Sequence, residues 1–267
     1  MGLSEKTREE ARQIIARYPK KRSALLPMLH LVQSEEGYVS PEGIALCAEE
    51  LDLTKAEVGA VATFYTMYRR KPAGTYHVGV CTNTLCAIMG GDAIWEDLSE
   101  HLGVGHDETT DDGVITLERV ECNAACDYAP VVMVNWEFFD NQTPDSAREI
   151  VETIAAGKPV VPTRGADTVV SFKDMSRVLA GFDDGRANEG VGGGVPTLRG
   201  IELARAEGWT APPLDAGGTA APAAPTTSTA PKVGAEQSSA ERPATTAGDV
   251  SPSVEQKKQS SDDAKES

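Results

Sequence analysis

The chain has 267 residues, a formal charge of −16 and five cysteines. That length holds one large or two small domains, and the acidity disfavours nucleic acid, whose phosphates need a basic patch; it reads as a solubility feature. No apolar run approaches the roughly 18–20 residues of a membrane span, and the polar start MGLSEKTREEARQ lacks the apolar core of a secretory signal, so a cytoplasmic chain without direct membrane insertion is expected.

Residues 1–72 read as an N-terminal helical domain. In TREEARQIIARY, Thr7 and Glu10 have capping-box spacing. ALLPMLHLVQSEEGYV carries Pro27 near a helix start. Ser40 before Pro41 opens PEGIALCAEEL, and Thr54 with Glu57 opens TKAEVGAVATFY. Ile44, Cys47, Ala48 and Leu51 share one helical face, which makes Cys47 a core residue rather than a ligand. The aromatic run FYTMY, Phe64 to Tyr68, suits core or subunit contact.

Residues 73–162 read as α/β. TYHVGV is a strand leading into Cys81, and GGDAIWEDLSEHLGV a helix with Ile94, Leu98 and Leu102 on one face. VITLERV alternates as a half-buried strand does. PVVMVN and EFFDNQ form a candidate hairpin. Thr143 and Pro144 open a helix that closes at Gly157. The order strand, helix, strand, strand, strand, helix is close to the thioredoxin-like pattern without its first strand–helix unit.

Residues 163–209 read as a linker with short helices and possible partner docking. FKDMSRVLAGF and LRGIELARAEGW are the helical pieces. EGVGGGVP between them reads as a flexible glycine-rich linker in which Pro196 interrupts the start of any helix, and TRG at 163–165 defaults to linker as well. Residues 210–267, rich in Ala, Pro, Thr and Ser, read as a disordered tail. The expected class is α+β: an N-terminal helical bundle, a thioredoxin-like α/β domain and a disordered C-terminal tail.

The chemistry lies in VCTNTLC and ECNAACDYAP. Four residues separate Cys81 from Cys86, and three separate Cys122 from Cys126. In a reducing cytosol such clusters serve more often as metal ligands or catalysts than as disulfides, and five is an odd number. A thioredoxin-type dithiol needs two intervening residues at a helix start, which neither pair has. Four thiolates at these spacings admit a structural zinc or a binuclear iron–sulfur cluster. Each pair follows a strand and sits in a loop running on to another element, which favours iron–sulfur without removing zinc. His30, His77, His101 and His106 have no metal spacing with the cysteines and read as structural or exposed.

VCTNTLC and ECNAACDYAPVVMVN, with VATFYTMYRRKPAGTYHV upstream, closely resemble the E-type subunits of proton-pumping NADH–quinone oxidoreductase, respiratory complex I. The resemblance spans about residues 7–160. It implies a thioredoxin-like ferredoxin domain with one [2Fe–2S] cluster, ligated by Cys81, Cys86, Cys122 and Cys126. It implies an electron-transfer role with no catalytic side chain, in an oxidoreductase complex at the inner face of the cell membrane. The implied partners are a flavoprotein that binds FMN and NADH, and other hydrophilic-arm subunits. The same motifs suit the equivalent subunit of an NAD-linked hydrogenase or formate dehydrogenase, and a zinc-stabilised scaffold is the reading from another class. The family often has Leu-Gly after its third ligand, where this chain has Asn123-Ala124. That exchange bears on the loop conformation but removes no ligand. Glu121 and Asp127 beside the ligands lower the expected potential, and backbone donors in TNTL and NAA raise it.

Overall fold

The computed structural model describes residues 3–187 and 189–210. Helix α1 (Glu5–Ile15) starts at Ser4, whose hydroxyl accepts from the Thr7 amide. The cap expected at Thr7 therefore moves three residues back. Thr7 and Glu10 are both buried, because distant partners recruit them: Thr7 donates to Glu35, and Glu10 accepts two hydrogen bonds from Arg177 at 2.7 and 2.8 Å.

The next three helices form as their local signals require. Helix α2 (Leu25–Glu36) ends at Gly37 with φ +82°. Ser40 caps α3 (Pro41–Leu51), and Thr54 and Glu57 close both halves of a capping box on α4 (Lys55–Phe64). Their apolar faces meet α1 in a core with Ile14, Met28, Leu29, Leu51 and Val58. Cys47 is fully buried there, and burial pushes its thiol up to about 12, so it is a neutral core residue. Of the aromatic run, Tyr68 is core and donates to the Leu26 carbonyl, whereas Phe64 is 77% exposed.

The remaining elements build a five-stranded sheet, in the order β2-β3-β1-β4-β5. These strands are β1 (Tyr76–Cys81), β2 (Glu108–Thr109), β3 (Ile115–Val120), β4 (Val132–Val134) and β5 (Glu137–Phe139). Strand β1 is parallel to β3 and antiparallel to β4. Helices α5 (Thr84–Ile88) and α6 (Gly91–Leu102) cross from β1 towards β3, and α7 (Pro144–Ala155) follows the β4–β5 hairpin. Ile94 and Leu98 of α6, and Ala147, Val151 and Ile154 of α7, share a core with Val78, Val80, Ile115 and Leu117 of the sheet. The hairpin turns on Asn135 and Trp136, both with positive φ, the geometry that matches strand twist in a two-residue turn. The buried Asn135 carboxamide accepts from the His77 amide and donates to the Thr75 and Val170 carbonyls.

Bundle and sheet are joined by buried charge. Arg69, just after the bundle, pairs with Glu118 of β3 at 2.9 Å and with Asp107. His77 of β1 faces the same Glu118 carboxylate. Burial pushes that carboxyl up, but His77 and Arg69 together hold it below its ordinary value. His30 is buried as well, while His101 and His106 are exposed.

Residues 163–209 are more than a connector. Helix α8 (Phe172–Leu179) packs on α2, with Phe172 buried and stacked on Trp136 at 5.3 Å. Lys173 donates to the Glu35 carbonyl, and Ala180 joins the bundle core. Arg164 of the supposed linker triplet pairs with Asp140 at 2.9 Å and lies over the Tyr128 and Phe138 rings. Pro196 does not interrupt a helix but sits in the first turn of α9 (Val195–Ala206), where a missing N–H loses no intrahelical bond. The disordered tail expected over 210–267 lies outside the described residues apart from Thr210.

The Glu10–Arg177 pair tests the docking of α8. Arg177's hydrogen bonds hold the Glu10 carboxyl below its ordinary value, outweighing partial burial. Its stabilisation is therefore complete above the unfolded value near about 4.3 and fades as pH falls through the lowered folded value. Glu10→Gln should cost about 1 kcal/mol at pH 7. In urea denaturation that cost should disappear once acid protonates Glu10 in the parent chain. A cost that is the same at both pH values would assign the effect to packing.

Candidate metal centre

Two neighbouring parallel strands deliver the four cysteines to one edge of the sheet. Cys81 is the last residue of β1 and stands in register with Val120, the last residue of β3. Its amide donates to the Val131 carbonyl at 3.1 Å, and the Thr82 amide to the Val120 carbonyl at 3.3 Å. Directly after β1 the chain turns at Asn83, whose side chain accepts from the Thr84 amide and starts the short helix α5. This turn brings Cys86 into the same buried cluster as Cys81, whose thiol donates to the Glu121 carbonyl at 3.6 Å.

Gly91 closes the loop from behind. A Cβ there would stand 2.4 Å from the Cys81 carbonyl oxygen and 2.9 Å from that of Cys86, so only glycine lets α6 begin so close. Sequence reading did not single out Gly91; the only signal was the Gly90-Gly91 pair directly before a helical pattern.

The second pair lies beyond β3. Ala124 adopts φ +51°, the left-handed conformation that glycine takes most readily, and its amide donates to the Cys122 sulfur at 3.3 Å. A 3-10 turn over Cys126–Tyr128 then carries Cys126 on the same loop as Cys122. The Ala129–Pro130 bond that follows is cis.

The four thiols thus fall in two pairs, one on the loop after β1 and one on the loop after the adjacent β3, and the field of Cys126 reaches Cys86. Cys81 and Cys86 are buried among Ala125, Ala129 and Val131, whereas Cys122 and Cys126 are exposed. Burial first, and then Cys81, pushes the Cys86 thiol up to about 11. Cys126 is also raised, by local desolvation and then by Cys122. Among the described residues no three His, Cys, Asp or Glu side chains gather around one point that would suit a single ion. Of the donors expected from the loops, the Ala124 amide of NAA is in place.

A model of the thioredoxin-like [2Fe-2S] ferredoxin family matches residues 11–155. The chain belongs to that family. Its match covers the bundle as well as the ferredoxin sheet, all four paired cysteines included. The E-type NADH-quinone oxidoreductase subunit of Mycobacterium tuberculosis is 64% identical over 205 residues, which cover 76% of this chain and 81% of the relative. NADH-quinone oxidoreductase subunit 2 of Thermus thermophilus is 36% identical over 161 residues, 59% of this chain and 89% of the relative. Among solved structures, an NAD+-reducing [NiFe]-hydrogenase aligns with TM-score 0.45 and 20% identity, over 50% of this chain and 23% of that one. A thioredoxin-like [2Fe-2S] ferredoxin from Aquifex aeolicus aligns with TM-score 0.28 and 24% identity, over 33% and 87%. Neither structural likeness bears on function.

The left-handed backbone at Ala124 would suit glycine, and a side chain there has a cost. An L-residue held in the left-handed region is strained by roughly 1 kcal/mol. Ala124→Gly should raise stability by up to about 1 kcal/mol, less the added entropy of the unfolded glycine. Thermal denaturation of the two chains side by side measures this; a loss of stability would mean that the entropy of the unfolded chain dominates.

Proposed function

We propose that this chain is the subunit of an NADH–quinone oxidoreductase that carries one [2Fe–2S] cluster on Cys81, Cys86, Cys122 and Cys126. The observation that carries the reading is the arrangement of thiols two by two at the ends of adjacent parallel strands. A binuclear cluster needs two thiolates for each iron, which two adjacent pairs supply, and the [2Fe-2S] ferredoxin family match favours it over a four-thiolate zinc. When bound, the cluster supplies one-electron chemistry.

The chain's own residues divide the remaining work. Cys81 and Cys86 sit in apolar packing that keeps water from the inner side. Cys122 and Cys126 lie at the surface, where a partner can approach. The Ala124 amide donates to the Cys122 sulfur, which favours the more negative, reduced state. The FMN- and NADH-binding site is assigned to a flavoprotein partner, which would make this chain an electron carrier beside the hydride acceptor. Exposed Leu85, Ile88 and Met89 around Cys86 suit such an approach. No helix among the described residues is long and apolar enough to cross a membrane, in keeping with a peripheral place on a membrane complex. The Mycobacterium and Thermus relatives favour quinone oxidoreductase over the hydrogenase and formate dehydrogenase readings, since both are NADH-quinone oxidoreductase subunits.

Anaerobic purification followed by iron, sulfide and zinc analysis tests the assignment. Two irons and two sulfides per chain are expected, with a paramagnetic signal after dithionite. Serine at Cys81 or Cys86 should abolish or alter that signal, while Cys47→Ser should leave it unchanged. Stoichiometric zinc without a cluster signal would sink the electron-transfer reading.

A further inference from the structure

The two cysteine pairs are not held alike. Cys81 and Cys86 are fixed by a central strand and a buried apolar shell. Cys126 and Asp127 are exposed, on a single turn closed by the Tyr128 amide on the Ala125 carbonyl at 3.1 Å. What grips this turn comes from the segment that sequence reading took for a loose linker.

That segment is anchored at both ends. The Gly165 amide donates to the Val191 carbonyl at 3.1 Å, and the Asp167 amide to the Glu189 carboxylate at 3.1 Å. Gly190 passes so close to Gly165 that a Cβ would stand 2.0 Å from the Gly165 carbonyl oxygen. Further on, a Cβ on Gly194 would stand 2.2 Å from the Tyr128 hydroxyl. One turn into α9, the Thr197 hydroxyl donates to the Asp127 carboxylate. On its other side, Tyr128 carries the Arg164 guanidinium over its ring at 5.1 Å. Gly190 and Gly194 are thus where the chain lies directly on its neighbours, while Gly192 faces open space.

We propose that Gly190–Gly194 and the first turn of α9 form a strap that holds the Cys126–Tyr128 turn in its ligating shape, with Thr197 as the positioning residue. The inference rests on the cluster assignment proposed above. Asp127 adjoins Cys126, and its negative charge opposes the arrival of an electron at that site. The Thr197 hydroxyl, with the positive end of α9 behind it, engages that carboxylate and offsets part of its field. The strap therefore restrains the exposed ligand loop and moderates the charge beside it.

The test uses the full-length chain, Thr197→Val, Thr197→Ser and Gly194→Ala. Hydrogen exchange is measured before metal is added, at the amides of residues 126–129. After anaerobic loading with ferrous iron and sulfide, cluster release to an iron chelator and the midpoint potential are measured. Thr197→Val should exchange faster, release its cluster about threefold faster, as loss of one exposed charge-assisted hydrogen bond implies, and titrate at a more negative potential. Gly194→Ala, which displaces the Tyr128 hydroxyl, should move exchange and release in the same direction, and Thr197→Ser should match the parent chain. Parent-like behaviour of both Thr197→Val and Gly194→Ala overturns the strap; a serine variant that behaves like valine overturns Thr197 as its positioning residue. A parent chain that forms no cluster removes the cluster assignment instead, and the exchange data still decide whether the strap holds the turn.

Discussion

The parallel pairing of β1 with β3 is the constraint on which everything at the cysteine edge depends. Parallel strands end on the same side, and the register that sets Cys81 against Val120 makes both cysteine loops leave from adjacent points. A parallel pair needs a long crossover, supplied here by α5 and α6, and α5 is also the turn that carries Cys86. A one-residue slip would exchange the faces of the strand, sending Val78 and Val80 out of the core. The apolar residues beneath the sheet therefore fix the sulfur positions above its end.

The same two strands carry the polar seam to the bundle. His77 lies on β1 and Glu118 on β3, and Arg69 reaches the Glu118 carboxylate from the chain leaving the bundle. Breaking such a group by removing one partner strands a buried charge, typically at a cost of about 3–5 kcal/mol. The helical bundle thus restrains the strands that present the ligands, four residues from Cys81 in one case and four from Cys122 in the other. A bundle and a ferredoxin sheet joined only by apolar contact would leave that alignment freer to vary.

What could be read from sequence was what depends on neighbours in the chain. Ser40-Pro41, Thr54 with Glu57, and Thr143-Pro144 are local chemistry, and each opens a helix as expected. The β4–β5 hairpin and the role of Cys47 were legible for the same reason, through period and burial pattern. Thr7 and Glu10 misled because their partners, Glu35 and Arg177, lie 28 and 167 residues away. Strand β2 and helix α5 span two and five residues, too few to show a period. At the centre itself the four thiols were legible by type and spacing. The close approach at Gly91 and the contact of Thr197 with Asp127 were not, since each is set by tertiary packing.

The position of α8 has a consequence for how the chain is made. Ala180 completes the core that α1 begins, and Arg177 satisfies the carboxylate of Glu10. A growing chain leaves the ribosome from its N-terminus, so the first helix waits for about 170 later residues to be translated before its last partners arrive. Until then the face of α2 that α8 covers lacks one wall, and the buried Gln33 carboxamide lacks its Ser176 partner. The cysteines emerge during that interval, ahead of the helix that seals the bundle to which their strands are tied.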